Sequence, residues 1–162
     1  MFMPEYSDHI HQSRKNLKFL EFVNNRTNQY YDWEVTTCYY VAVHLVNAHL
    51  SLHELQIRTH YDVMTILNQP EVEASIPGHV LFAYKKLQRL SRRSRYLVNE
   101  RNANSTSSIA YCIHSSHLKK ALEYLHTLIA FFKERYGERF EKIRINCSDV
   151  DISTLCYCEQ MD

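Results

Sequence analysis

Basic side chains are concentrated in one short stretch of this chain, at a density that is typical of phosphate-binding surfaces. Residues 85–101 contain seven bases and one acid, Glu100, although the whole chain has a net charge of only +1. The bases are Lys85, Lys86, Arg89, Arg92, Arg93, Arg95 and Arg101. A guanidinium group offers planar, bidentate donors that match phosphate oxygens better than an ammonium group does. Two interpretations follow: a phosphate-binding surface formed by Arg89, Arg92, Arg93 and Lys85, or a solvated helix face whose arginines pair with acids of other helices.

Histidines supply the acid–base chemistry, and the chain has ten of them. His44 falls one helical turn from Tyr40 and from Asn47, so it is either a hydrogen-bonded core histidine or a pocket residue that acts as a general base. His60 and His126 are the other candidates for proton transfer. A zinc-binding pair is conceivable at His49 and the histidine four residues later. No HExxH motif and no suitably spaced acid or cysteine completes a ligand set, so we predict no metal.

Aromatic and thiol groups complete the inventory of reactive side chains. Tyr84, Tyr96 and Tyr111 could stack on nucleic-acid bases. We expect a pocket lined by Tyr40, His44, Asn47, Tyr84, Arg95 and Tyr96. Cys147, Cys156 and Cys158 do not form a CxxC motif, which predicts thiols without a chemical role. The sequence has no phosphate-binding loop, dinucleotide fingerprint or serine-hydrolase motif, and we predict no cofactor.

The composition indicates the elements that must position these groups. A length of 162 residues is typical of one domain, and two glycines and three prolines leave little material for the turns of an all-β fold. We therefore predict an all-α domain of about five helices over residues 1–140. Residues 141–162 form a short non-helical tail, in which 142–147 alternate enough to make a strand. No leader peptide or membrane-length apolar run is evident, so we expect a cytoplasmic protein without membrane contact.

Periodicity and helix-terminating residues set the expected boundaries of the helices. The first begins at a Ser7 cap and ends near residue 24; the second begins at Asp32 and continues for about twenty residues. The third covers 59–69, the fourth follows Pro77, and the fifth extends from about 115 to a stop at Gly137. The second helix is apolar nearly all round, which predicts a central position with one buried polar stripe. That stripe comprises Trp33, Thr36, Thr37, Tyr40, His44 and Asn47.

The fourth helix divides the arginines into two groups. Arg95 lies at the margin of the apolar stripe, where its stem can follow apolar surface while its head stays paired. We expect it to be at least half buried and hydrogen-bonded to a polar group of the second helix, or to an acid such as Asp32 or Glu34. We expect Arg89, Arg92 and Arg93 to be exposed.

Three segments together resemble a known family. These are "DWEVTTCYYVAVHLVNAHL", "IRTHYDVMTIL" and "YKKLQRLSRRSRY", which cover roughly residues 31–97. They are similar to small prokaryotic proteins of the HEPN type (higher eukaryotes and prokaryotes nucleotide-binding), whose pattern has the form DW…YYaalHyv.A.l, a downstream His, and Y..L...SR.aRY. The matching positions are Asp32, Trp33, Tyr39, Tyr40, His44, Ala48, His60, Tyr84, Leu87, Ser91, Arg92, Arg95 and Tyr96.

The resemblance implies an up-and-down helical bundle that commonly forms a homodimer. Many HEPN members are metal-independent ribonucleases of toxin, CRISPR or abortive-infection systems, and others bind nucleotides or accompany a nucleotidyltransferase. The ribonucleases carry Arg-x(4–6)-His near the final helix. No histidine here follows an arginine at that spacing. Lys120-x5-His126 has the spacing but carries lysine in place of arginine. The resemblance thus favours a nucleotide- or RNA-binding domain of a two-component system over an enzyme, with a divergent ribonuclease or a non-catalytic dimerisation protein as the alternatives.

Overall fold

The computed structural model describes residues 4–26, 30–55, 57, 59–96 and 115–160, and these form an all-α bundle. The five helices are α1 (Tyr6–Arg26), α2 (Tyr31–Ser51), α3 (His60–Leu67), α4 (Gly78–Tyr96) and α5 (Ser115–Tyr136). The strands β1 (Ile143–Arg144) and β2 (Cys158–Glu159) pair in parallel, with a short 3-10 helix, Ile152–Thr154, between them. Within these ranges no helix is both long and apolar enough to cross a bilayer.

The four long helices alternate in direction around α2. Near the α1–α2 connection Asn24 bonds to Glu34, whereas His9 at the start of α1 meets His44 late in α2, so these two helices are antiparallel. Helix α2 also packs against α4 and α5, and α4 packs against α5. The predicted central position of α2 is confirmed, because its residues from Val35 to Leu50 include many with no exposed surface.

Several helix ends follow the expected chemistry. Thr59 caps α3 by accepting the backbone N–H of Asp62, as Thr at this position commonly does. Gly137 ends α5 with a φ of +67°, a left-handed conformation that glycine adopts without steric cost. The predicted cap at Ser7 is wrong. Helix α1 begins one residue earlier, at Tyr6, where the Asp8 carboxylate accepts the N–H of Glu5 at 2.8 Å.

The segment after α5 belongs to the same hydrophobic core as the helices. Its buried apolar residues are Ile143, Ile145, Cys147, Ile152, Leu155, Tyr157 and Cys158. The hydroxyl of Tyr157, which has no exposed surface, donates to the Leu122 carbonyl of α5 at 3.0 Å. The alternation at 142–147 correctly indicated a strand, at Ile143–Arg144. Its partner strand, whose paired residues lie 15 positions later, gave no comparable signal.

Candidate functional site

Arg95 stands at the centre of a cluster of aromatic rings where the end of α4 meets α2. Its Nη1 donates to the Tyr40 hydroxyl at 3.3 Å. The guanidinium carbon lies 5.0 Å from the ring centroid of Tyr96, 5.7 Å from that of Tyr40 and 5.9 Å from that of Tyr39. Arg95 is half-buried, so the predicted burial and the predicted bond to a polar group of the second helix are both confirmed. Cation–π contacts of this kind hold a guanidinium in one place.

His60 joins this cluster from the first residue of α3. Its Nδ1 lies 3.0 Å from the hydroxyl of Tyr39, and the two ring centroids are 5.8 Å apart. Partial burial lowers the pKa of His60, and the positive charges of Arg95 and Arg92 lower it further. The imidazole is therefore neutral at neutral pH, with Nδ1 bonded to tyrosine, and among the described residues no hydrogen bond occupies Nε2. We call Tyr39, Tyr40, His60, Arg92, Arg95 and Tyr96 the arginine–tyrosine site.

The remaining basic residues of α4 divide differently from the prediction. Arg89 and Arg92 are exposed, as expected, but Arg93 is half-buried, and so is Lys85. The prediction of an exposed Arg93 is wrong for a geometric reason. Residue 93 lies only about 20° around the helix from residue 86, which is half-buried as well, and next to the buried Ser94. The fully exposed part of the basic face is thus a narrow strip through Arg89 and Arg92.

A small cleft opens beside Arg95, between the start of α2 and the end of α4. It has a volume of about 170 Å³ and is lined by Asp32, Trp33, Thr36, Ser94 and Arg95. Trp33 is 58% exposed and Tyr96 is 62% exposed, so both side chains are largely open to solvent. An exposed guanidinium edge, a carboxylate and open aromatic faces thus occur within one small area.

The polar stripe of α2 is not buried as a whole, which corrects the prediction. Thr36 and Thr37 are each 4% exposed, but Tyr40 is 42% exposed, and His44 and Asn47 are half-buried. The opposite face provides the reason. It is more completely apolar, so it takes the central position against the other helices, and the polar stripe turns towards the surface.

Tyr84, which was expected to line the pocket, lies beneath it instead. It is 1% exposed and packs against Tyr39 with ring centroids 5.9 Å apart. Burial raises its pKa well above the ordinary value. Tyr84 therefore supports the arginine–tyrosine site from below and has no ring face for a base. Tyr111, the third stacking candidate, lies outside the described residues.

His44 makes its contact with α1 rather than with the arginines. Its Nδ1 is 3.2 Å from Nδ1 of His9, and burial lowers the pKa of both imidazoles. The charge on either ring would repel the other, which further favours the neutral pair. Among the described residues, no hydrogen bond or ring contact joins His44 to His60, so these two candidates do not act as one site.

His126 holds the C-terminal segment in place. Its Nδ1 accepts the backbone N–H of Cys156 at 3.0 Å, and burial, followed by the charge of Lys133, lowers its pKa. An imidazole whose acceptor nitrogen is occupied in this way orders the chain and is poorly placed to take a proton from a substrate. Of the three histidine candidates, only His60 lies beside arginines.

Both ring nitrogens of His49 are also occupied. Nε2 lies 2.9 Å from the Ala74 carbonyl and Nδ1 lies 2.5 Å from the Tyr136 hydroxyl. His49 is 1% exposed, so it is a buried, hydrogen-bonded residue of the core. Since neither nitrogen is available, His49 cannot share a metal with His53. No group of metal ligands is found among the described residues.

The burial of one carboxyl group was not predicted from the sequence. Glu34 has no exposed surface; its Oε2 accepts from Asn24 Nδ2 at 3.0 Å, and its Oε1 has no hydrogen-bond partner among the residues that the structure describes. Asn24 also bonds to the backbone of Asn146, donating to the carbonyl at 3.1 Å and accepting the N–H at 2.7 Å. Burial raises the pKa of Glu34. In the sequence, Glu34 looked like an ordinary acid in the first turn of a helix.

The thiols of the C-terminal segment are unreactive, because burial keeps them protonated. Cys158 is 1% exposed and Cys147 is 8% exposed. Burial raises the pKa of Cys158 to about 12 and also raises that of Cys147. A thiol that stays protonated is a weak nucleophile and a poor metal ligand, so these side chains act as small apolar core residues.

A scan against models of known protein families finds no match for this chain, and neither do comparisons with curated protein sequences and with solved structures. The chemistry that can be assigned is therefore that of the residues themselves. At the arginine–tyrosine site, these residues offer a fixed guanidinium, a second arginine close to it, a neutral imidazole and exposed aromatic rings.

Proposed function

We propose that this chain is a HEPN-like domain that binds a nucleotide or the phosphates of RNA at the arginine–tyrosine site. The observation that carries the proposal is the fixed position of Arg95, stacked among three tyrosine rings, with Arg92 close enough to lower the pKa of the same histidine. Two neighbouring guanidinium groups on one face suit the tetrahedral oxygens of phosphate.

The cleft beside Arg95 supports a nucleotide more specifically than a bare phosphate ion. Trp33 lines the cleft and is 58% exposed, so a base can stack on it, and base–aromatic stacking does not depend on sequence. Asp32 lines the cleft and can accept a hydrogen bond from a ribose hydroxyl. Phosphate, base and sugar would each then find a suitable group within one site.

Binding can be measured by titrating the protein with labelled single-stranded RNA and with ATP at two salt concentrations. We expect affinity to fall steeply at the higher salt, because each neutralised phosphate releases counterions. Arg92→Ala should weaken RNA binding several-fold and reduce the salt slope by about one. Lys120→Ala, an exposed base on α5, serves as the control and should change neither. Absence of binding at the lower salt concentration refutes the proposal.

His60 supports a second candidate, a metal-independent ribonuclease. A neutral imidazole can act as a general base on the ribose 2′-hydroxyl, while a neighbouring arginine stabilises the charge of the phosphorane. The chain lacks the continuous Arg-x(4–6)-His motif, but the fold brings Arg95 and Arg92 near a histidine from a different helix. We rank this activity below simple binding, because the arrangement differs from the motif of the ribonuclease members.

Cleavage of total RNA in the presence of EDTA distinguishes the two candidates. A ribonuclease should retain its activity in EDTA and lose it in His60→Ala, whereas His126→Ala should remain active if it folds. If the purified protein binds RNA but leaves it intact, the binding function alone stands.

The resemblance also motivates two proposals about assembly. HEPN bundles commonly form homodimers, and some accompany a nucleotidyltransferase as the second component of a toxin–antitoxin or defence system. Light scattering of the purified chain tests the first proposal. Co-purification with a nucleotidyltransferase encoded next to its gene tests the second.

A further inference from the structure

A second concave surface lies against α1, shares no residue with the arginine–tyrosine site and has no role in the proposed function. It is a cavity of about 560 Å³ between the outer face of α1 and the extended segment 139–143. Its volume falls within the range of small-molecule sites, roughly 300–1,000 Å³. Helices α1 and α4, which carry the two surfaces, each pack against α2.

Most of the charged groups around this cavity are positive. Five bases line it, whereas only two acids do, Glu21 and Glu141. Glu21 is already engaged, because its Oε1 accepts the backbone N–H of Arg144 at 2.8 Å. Glu141 pairs with Lys18 at 3.0 Å, but both side chains are largely exposed, and such pairs contribute little free energy. An incoming anion can therefore displace Glu141 easily.

Three of the five bases have no ion-pair partner among the described residues. These are Lys15 on α1 and Arg139 and Lys142 on the facing segment, and all three are exposed. Like charges that face each other across a concavity raise the local potential and attract anions. The cavity thus has positive groups on both walls whose charge is not neutralised within the fold.

The floor of the cavity is apolar and its shape is fixed. Leu17 and Ile143 are each 2% exposed and belong to the hydrophobic core. Phe140 is held under the guanidinium of Arg14 at 5.6 Å, and Arg14 is fixed by an ion pair with Glu138 at 2.7 Å. A simple inorganic ion would leave this apolar surface unused.

We propose that this cavity binds an organic anion with an apolar body, whose carboxylate or phosphate group lies among Lys15, Arg139 and Lys142. The apolar body would cover the half-buried ring of Phe140. This site is independent of the arginine–tyrosine site, so failure of either proposal leaves the other unaffected.

Octanoate, octyl phosphate and octylammonium are suitable probes, since they share one apolar chain and differ in the head group. Titration of the ¹⁵N-labelled full chain should show that at least one anion shifts the amide signals of residues 11–21 and 139–143, while octylammonium does not. The anion that binds more tightly identifies the head group as carboxylate or phosphate. If neither anion shifts those signals, or if octylammonium shifts them equally, the proposal is wrong.

Charge reversal tests the named residues. Lys15→Glu combined with Lys142→Glu should weaken binding of the better anion at least tenfold, whereas Lys120→Glu on α5 should leave it unchanged. All three lysines are exposed, and a thermal melt verifies that each variant is folded. The pair Lys15→Gln and Lys142→Gln, which removes charge without reversing it, should give an intermediate loss. Equal affinity in the double variant and in the control overturns the assignment.

Discussion

At the residue scale, the arginines of α4 differ in what they contribute. Arg95 is half-buried, bonded to Tyr40 and flanked by aromatic rings, whereas Arg92 is exposed. The partner of Arg95 is a neutral hydroxyl, not one of the acids that the sequence offered as alternatives. Loss of the bond therefore leaves no buried charge behind, and its cost is that of a hydrogen bond and a cation–π contact.

We expect Arg95→Ala to lower the free energy of unfolding by about 1–2 kcal/mol, as the sum of these two contributions. Arg92→Ala should change stability by less than about 0.5 kcal/mol, as exposed substitutions usually do. Urea unfolding of both variants measures the difference. If Arg92→Ala is strongly destabilised while Arg95→Ala unfolds like the wild type, our division of the cluster is reversed.

Glu34 gives a pH-dependent prediction. Its pKa is raised in the folded chain, so below about 4.5 both states hold the proton and its stabilising contribution is complete. As the pH rises above this value, Glu34 ionises first in the unfolded chain. Its stabilising contribution therefore decreases until the pH exceeds its pKa in the folded chain. Glu34→Gln removes this ionisation. We therefore expect the variant to gain stability relative to the wild type between pH 5 and pH 8.

Urea unfolding of the wild type and Glu34→Gln at these two pH values provides the measurement. Glu71→Gln, at an exposed acid in the connection between α3 and α4, is the matched control. A wild type–variant difference that is the same at both pH values contradicts a raised pKa for the buried Glu34.

At the element scale, sequence patterns predicted most helices but not the way the C-terminal segment joins them. Helix α5 was predicted within a residue, because its apolar residues recur at helical spacing and glycine follows its last turn. Strand β1 was expected, but β2 and its pairing with β1 were not, because β2 has only two residues and the two strands are far apart in sequence. For the candidate site, spacing along α4 placed Arg95 correctly. The contact between Tyr39 and His60 joins separate helices, so no local pattern could reveal it.

Tyr157 tests how firmly the C-terminal segment is bound to α5. Tyr157→Ala should destabilise the fold by about 3–5 kcal/mol, because it empties a fully buried aromatic site. Tyr157→Phe should cost only about 0.5–1.5 kcal/mol, the contribution of the hydrogen bond to Leu122. Tyr61→Ala, at a position 79% exposed, should unfold like the wild type. Chemical denaturation of the three variants measures these differences in the free energy of unfolding. Loss of less than about 1 kcal/mol in Tyr157→Ala would mean that this segment is not part of the core.

At the scale of the whole molecule, several histidines act together on stability. Burial lowers the pKa of His9, His44, His49, His60 and His126 below the ordinary value of 6.5. A depressed histidine pKa means that the unfolded chain binds protons below pH 6.5 before the folded chain does. The stability that these groups provide is therefore complete above pH 6.5 and is lost as the pH falls through their folded pKa values. The raised pKa of Glu34 makes its stabilising contribution fall as the pH rises instead, but it is one group and the histidines are five.

We thus expect the thermal midpoint to fall between pH 7.5 and pH 5.5, with net uptake of protons on unfolding at the lower value. Calorimetry in two buffers of different ionisation enthalpy measures that uptake directly. A midpoint that stays constant or rises over this range contradicts the collective role of the buried imidazoles.

The parallel pairing of β1 with β2 also has a consequence for biosynthesis. The core beneath α5 is closed by Tyr157 and Cys158, which are translated well after the helices that they cover. While residues 143–158 are still inside the ribosomal exit tunnel, the nascent bundle exposes the apolar surface that they later bury. Completion of the native fold must wait until this segment emerges, and until then α5 keeps apolar surface exposed to solvent.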